Sequence, residues 1–261
     1  MCYNMCTQRT PFNWSELLYK RHGDSTVKYL TKEVLPPLKA AMDGTPLLKE
    51  LRKRWDNHKL MNEWMAKFFM YLDRYYVKHT SLPTLRESGM KHFKDLVYSD
   101  IKARVTASML EEINAEREGR EIGQDLLRSC VQVFEAMGIG GLDAYTTDFE
   151  APLLESTEAY YNKQATQWLE TDSAPVYLEK AEAHLAAERK RVTDYLNTHT
   201  EAKLLKVCEI ELLQVRLCLC LYMSVLCLCL VFSGQWSSAQ RSAQRYLPPH
   251  APLAARPLLV V

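Results

Sequence analysis

Residues 64–77 read WMAKFFMYLDRYYV, and their spacing decides what kind of molecule the chain makes. Projected at 100° per residue, Trp64, Phe68, Tyr71 and Tyr75 fall at i, i+4, i+7 and i+11, a single helical stripe. Met65, Phe69, Leu72 and Tyr76 repeat that spacing and form a second stripe beside the first. Together the two cover roughly 180° of a helix, where packing on one core needs little more than about 100°. Asn62, Lys67, Asp73 and Arg74 share what remains. Such a helix is either enclosed on two sides by its own chain, or it keeps one apolar stripe for another protein.

The rest of the chain repeats the helical period. Amphipathic segments are expected near 13–22, 24–42, 46–56, 58–78, 84–98, 99–118, 123–137, 148–171, 175–197 and 200–213. Between them stand Asp43-Gly44, Pro83, Gly119, Gly138 to Gly141 and Pro175. Gly119 has the place of a helix C-cap. Asp148 is read as an N-cap, with Pro152 in the first turn of the helix it opens. Pro36 and Pro37 interrupt an apolar pattern, where they should kink or split a helix. No period-2 run of β-branched residues is present, so the fold class expected is all-α, a bundle or a stack of helical repeats.

Composition narrows the function. The 261 residues are 47% hydrophobic and 25% charged, with a net charge of +1. The last 46 residues hold Arg216, Arg241, Arg245 and Arg256 and no acid, so the body is mildly acidic and speaks against a nucleic-acid partner. The first residues, MCYNMCTQRT, lack the apolar core and cleavage pattern of a signal peptide. The eight cysteines are expected as free thiols; Cys2 and Cys6 lack two further zinc ligands at a suitable spacing.

Catalytic motifs are missing. There is no GxGxxG, GxxxxGK[ST], HExxH, GxSxG or kinase set. GIGG at 138–141 reads as a turn. His58 and His79 bracket the aromatic helix and read as end-of-helix or surface residues. EEINAEREGREI (111–122) reads as a solvated face, and Arg189, Lys190 and Arg191 as a basic turn. No cofactor or metal is expected, and the chain reads as one that works through surfaces.

From Leu217 to Phe232 the sequence LCLCLYMSVLCLCLVF is almost wholly apolar. As a helix it spans about 24 Å, short of a bilayer core of about 30 Å. Three readings stay open for it: a tail anchor in a membrane, a buried or oligomer-forming helix, or translated sequence outside the original reading frame.

Several strings, in order, resemble the cullins, above all plant-type cullins that bind Skp-class adaptors. They are YNMCTQ (3–8), WDNHKLMNEWMAKFFMYLDRYYV (55–77), FKDLVYSDI (93–101), EREGREI (116–122), YTTDFEAPLLESTEAYYNKQATQWL (145–169) and AEAHLAAERKRVTDYL (181–196). The resemblance covers about 1–214. It implies an elongated, solenoid-like stack of cullin repeats: a first repeat over 1–122 lacking its first helix and most of its second, a partial second repeat over 123–214, and a non-cullin tail over 215–261. It implies a non-catalytic scaffold fragment of a cullin-RING E3 ubiquitin ligase, cytoplasmic and nuclear, gripping a Skp-type BTB-fold adaptor that carries an F-box receptor. A RING subunit is not expected, because the C-terminal domain that binds it does not follow. The adaptor-binding residues implied are Tyr3, Asn4, Trp64, Phe68, Tyr71, Arg74 and Tyr75. Spacing alone does not say which aromatic stripe is spare. With part of the adaptor face missing, weak adaptor binding and poor solubility are expected.

Overall fold

Helix ends and prolines explain most of the architecture. The computed structural model describes residues 2–7 and 12–214, and all the regular structure among them is helical. In chain order the rods are α1 (Cys2–Thr7), α2 (15–40), α3 (Thr45–Phe68), α4 (70–80), α5 (85–117), α6 (Gln124–Met137), α7 (143–171), α8 (Ala174–Tyr195) and α9 (201–214).

Several rods are longer than their sequence pattern suggests. Residues 13–22 and 24–42 are expected as two segments, yet α2 runs unbroken past Gly23. Pro36 and Pro37 do not split it. Ahead of them the backbone widens into a π-helical turn, Leu30–Val34, in which the Leu35 N–H reaches back to the Leu30 carbonyl. A proline cannot donate to the carbonyl four residues back and its ring collides with it; the wider turn moves that carbonyl aside. The same device recurs in α7, where the wide turn Thr146–Glu150 again ends two residues before a proline, Pro152. The helix therefore starts at Asp143, and Asp148 is not its cap. The Asp148 carboxylate instead accepts hydrogen bonds from the Tyr98 hydroxyl (2.8 Å) and the Lys102 ammonium (2.8 Å), joining α7 to α5.

Gly119 ends α5 as expected. With φ +88° it turns the chain so that its own N–H meets the Glu116 carbonyl and the Arg120 N–H meets that of Ala115. These two bonds make a Schellman C-cap, which an L-residue with a Cβ adopts at a cost.

The main apolar cluster gathers Leu30, Val34 and Leu38 of α2, Leu47, Leu48, Leu51 and Trp55 of α3, Phe93 to Ile113 of α5, and the inner faces of α6 and α7. It runs across the 118–123 connector without a break, so the two halves expected as separate repeats share one core. A second cluster, centred on Tyr161, Ala165, Trp168, Tyr177, Cys208 and Leu212, lies among α7, α8 and α9. Neighbouring layers that bury each other's faces are how helical repeats gain stability.

His58, expected at a surface or helix end, is buried in this core at mid-helix. Its ring lies 4.8 Å from that of Phe93, Nε2 donates to the Gly89 carbonyl (3.2 Å), and Nδ1 is without a hydrogen-bond partner. Burial pushes its pKa down to about 4, and the bond to Gly89 offsets only part of that. The folded state thus excludes a proton that the unfolded chain accepts near 6.5. Its contribution is full above about pH 6.5 and is lost as pH falls towards 4, by roughly 3 kcal/mol if the shift is fully expressed. Urea denaturation at pH 7 and pH 5 is expected to show this fall in wild type and a shallower one in His58→Phe.

Helices α3 and α5 meet closely at Gly89. A Cβ there would stand 2.2 Å from Oδ1 of Asn62, a buried side chain whose amide donates to the Arg86 carbonyl (2.9 Å). Asn62 thus faces inward, not along the polar face expected for it. Gly89→Ala should lower stability by about 1–3 kcal/mol, although alanine is the better helix former by about 1 kcal/mol. Thermal melts of G89A and G89A/N62A check this: the second change should restore part of the loss.

Candidate docking interface

The aromatic stretch is not the tail of one straight helix. Phe69 (φ −103°, ψ 21°) ends α3 and opens α4: its N–H meets the Met65 carbonyl at 3.0 Å, and its own carbonyl accepts from the Leu72 N–H at 2.8 Å. The chain bends there and continues through a wide turn at Asp73–Val77, which contains no proline and follows no clear sequence signal.

The bend sorts the two stripes. Leu72 is fully buried, and Met65, Phe69 and Tyr76 are half-buried. Phe69 meets the His22 ring of α2 edge-on at 5.9 Å, and Tyr76 lies 6.1 Å from Tyr19. The other stripe faces outward: Trp64 is 49% exposed, Phe68 63% and Tyr75 40%, with Tyr71 half-buried between them. The more exposed stripe, left open by spacing, is therefore Trp64–Phe68–Tyr71–Tyr75, with Tyr71 also packed against the small cluster of Leu72 and Leu85.

Helix α1 joins this face from a distant part of the chain. The Tyr3 ring meets Tyr71 edge-on at 5.0 Å and Tyr75 at 6.5 Å, while Tyr71 and Tyr75 stack at 6.2 Å. Offset and edge-on pairs of this kind hold ring positions. Asn4 and Arg74 are exposed beside them. Lys67 lies over the Trp64 ring (5.1 Å) and Arg74 over that of Tyr71 (5.9 Å), so cations flank the apolar surface without covering it. All seven residues singled out from the sequence, Tyr3, Asn4, Trp64, Phe68, Tyr71, Arg74 and Tyr75, are thus on α1 or the α3–α4 rod. Leu60, 56% exposed and one turn before Trp64, extends the stripe and was missed. Its i, i+4 spacing to Trp64 is the signal that identifies it. Met70, exposed just after the bend, has no such periodic signal.

No group of three or more metal-ligating side chains occurs among the described residues. Cys130 and Cys208 are buried, and burial pushes both thiols up to about 12, which leaves them un-ionised at neutral pH. The runs read as solvated charge are not wholly so. Glu188 and Arg117 are buried, and so are Arg191 and most of Glu116, in one ionic network between α5 and α8. Each buried partner lies some seventy positions from the other, so a local reading of charge does not reveal it.

A layered all-helical chain with an outward aromatic rod matches the family model described as the cullin alpha solenoid domain, over residues 1–231. The chain belongs to the cullin family. The match extends past Gln214 into the apolar run, residues that lie outside those described. Among curated relatives, it is 44% identical to Cullin-1 of Oryza sativa subsp. japonica over 211 residues, which is 81% of this chain and 28% of that protein. It is 40% identical to Cullin-2 of Arabidopsis thaliana over 213 residues, 82% of this chain and 29% of that one. It is 36% identical to Cullin-like protein 3 of Arabidopsis thaliana, with 78% of each chain covered. This cullin chain thus spans under a third of the first two relatives and most of the third. No helix among the described residues is long and apolar enough to cross a membrane; the tail-anchor reading falls on 217–232, outside them.

Proposed function

We propose that this cullin chain is the adaptor-docking part of a ubiquitin-ligase scaffold. It presents the α1 and α3–α4 face to a Skp-type BTB-fold adaptor carrying an F-box receptor, and performs no chemistry itself. One observation supports this above others: Trp64, Phe68 and Tyr75 are exposed on one stripe while Phe69, Leu72 and Tyr76 of its twin pack into the small cluster beneath α4. An apolar helix face flanked by cations suits a partner that offers a complementary helical surface. A few aromatic anchors dominate such interfaces, and Trp64, Phe68 and Tyr75 have the exposure to serve.

The test is calorimetric titration of the purified chain with a plant Skp-type adaptor bound to an F-box peptide. A Kd in the micromolar range, roughly −8 kcal/mol, is expected, weaker than that of a full-length cullin. No detectable heat at about 100 μM of each partner would contradict the proposal.

A further inference from the structure

The outer half of the docking face stands on a slender base. Helix α4, which carries Tyr71, Arg74 and Tyr75, covers a small cluster built around Leu72 and Leu85 with Leu18, Tyr19, Phe69, Tyr71 and Tyr76. That cluster is separate from the main core. Helical geometry is interrupted at Phe69, and the wide turn at Asp73–Val77 alters how the side chains of α4 project. Something must fix the rotation of α4 about its own axis, because a rigid aromatic face needs ring positions held to a fraction of an ångström.

We propose that Asp73 is the positioning residue for this face: its carboxylate latches α4 to the root of α5 and so sets where Tyr71, Arg74 and Tyr75 point. The inference rests on the docking reading above. Asp73 lies two residues after Tyr71, one before Arg74 and two before Tyr75. Its side chain turns away from them, and Oδ1 accepts the Leu85 backbone N–H at 3.0 Å. Leu85 is the first residue of α5, where backbone N–H groups have no partner within the helix. A capping box serves the same end: the Glu87 N–H donates to Thr84 Oγ1 (3.2 Å), and the Thr84 N–H donates to Glu87 Oε2 (2.9 Å). The preceding loop is pinned in turn, since the Tyr19 hydroxyl donates to the Pro83 carbonyl at 2.9 Å. Further along, α5 enters the main core at Phe93 and Val97. The Asp73 bond therefore connects α4, which packs on the small cluster, to the helix that enters the main core.

Sequence pattern alone placed Asp73 with Arg74 on the polar side of the rod; the structure turns it inward. It is half-buried, and burial raises its carboxyl pKa while the Leu85 N–H and the nearby His22 oppose the rise. A surface aspartate in contact with water has no need of that cost. Losing the latch removes no apolar contact, so the fold should survive while the aromatic face loosens.

The experiment compares Asp73→Ala and Asp73→Asn with wild type in two readouts: affinity for the Skp-type adaptor, and amide hydrogen exchange of the free chain. D73A should bind about tenfold more weakly, exchange faster at Leu85 and through 70–80, and leave 99–117 unchanged. D73N keeps an acceptor oxygen and should recover affinity to within about threefold of wild type. Wild-type affinity in D73A overturns the latch while leaving the docking reading standing. Absence of binding by wild type overturns the docking reading, and the exchange data then decide the latch alone. Unchanged Leu85 exchange in D73A contradicts it. Should D73A fail to fold, D73N decides: binding as weak as that of an unfolded chain, despite its retained acceptor, overturns the latch.

Discussion

Glu188→Ala is expected to cost about 3–5 kcal/mol of stability. Glu188 is fully buried, and its Oε1 takes three donors: Arg117 Nε at 2.9 Å, Arg191 Nη1 at 2.8 Å and the Tyr161 hydroxyl at 2.7 Å. Arg117 also donates to Asn114 Oδ1 and Thr157 Oγ1, and Arg191 to Glu116 Oε2, which the Tyr195 hydroxyl reaches as well. Burial pushes the Glu188 carboxyl upward, but the guanidinium of Arg117, helped by Arg191, outweighs it and holds the pKa below the usual value. The pair therefore stays charged at neutral pH. Removing the carboxylate leaves the Arg117 guanidinium, itself fully buried, without its counter-charge. Urea denaturation followed by circular dichroism measures the loss, and a fall in Tm of roughly 10 °C should accompany it. Glu188→Gln keeps an acceptor but not the charge and should fall between wild type and E188A. A loss below about 1 kcal/mol in E188A would show that water replaces the network at little cost.

Trp64→Ala is expected to weaken adaptor binding by about 2 kcal/mol, roughly thirtyfold, with stability unchanged within about 0.5 kcal/mol. The side chain is half exposed in the free chain, so its removal opens no cavity, and its energy appears only when a partner dries it. Phe69→Ala should behave in the opposite way. Phe69 faces the His22 ring and belongs to the small cluster under α4, so its truncation is felt first in the melting temperature. Titration calorimetry and thermal melts on both variants separate the two stripes by function. Equal loss of affinity in the two, with equal loss of stability, would mean that the outward stripe has no role of its own.

The two stripes were legible in the sequence because helix period alone creates them, and the all-helical class was legible from the same period throughout. The stripe that faces out depends on where α2 lies. That is a tertiary fact, carried by Tyr19 and His22 from fifty residues upstream, and no local pattern contains it. The break at Phe69 has no proline or glycine to announce it. At Pro36 and Pro152 a breaker was visible, but the remedy, a wide turn just upstream, keeps the helix going where a split or a start was expected. Charged residues misled in one consistent way. Arg117, Glu188 and Arg191 sit in runs that look solvated, because the partner that permits their burial is on another helix. Asp73 and Asn62 turned inward for the same reason, each to meet a backbone group of α5. His58 followed them, drawn into the core by the Gly89 carbonyl.

The docking face is tested most directly by hydrogen exchange of this chain with and without a saturating Skp-type adaptor. Protection is expected in residues 2–7 and 60–77, the segments bearing Tyr3, Leu60, Trp64, Phe68, Tyr71 and Tyr75, with α6 to α9 unchanged. Protection confined to residues 174–214, with the aromatic rod exchanging as fast as in the free chain, would contradict it.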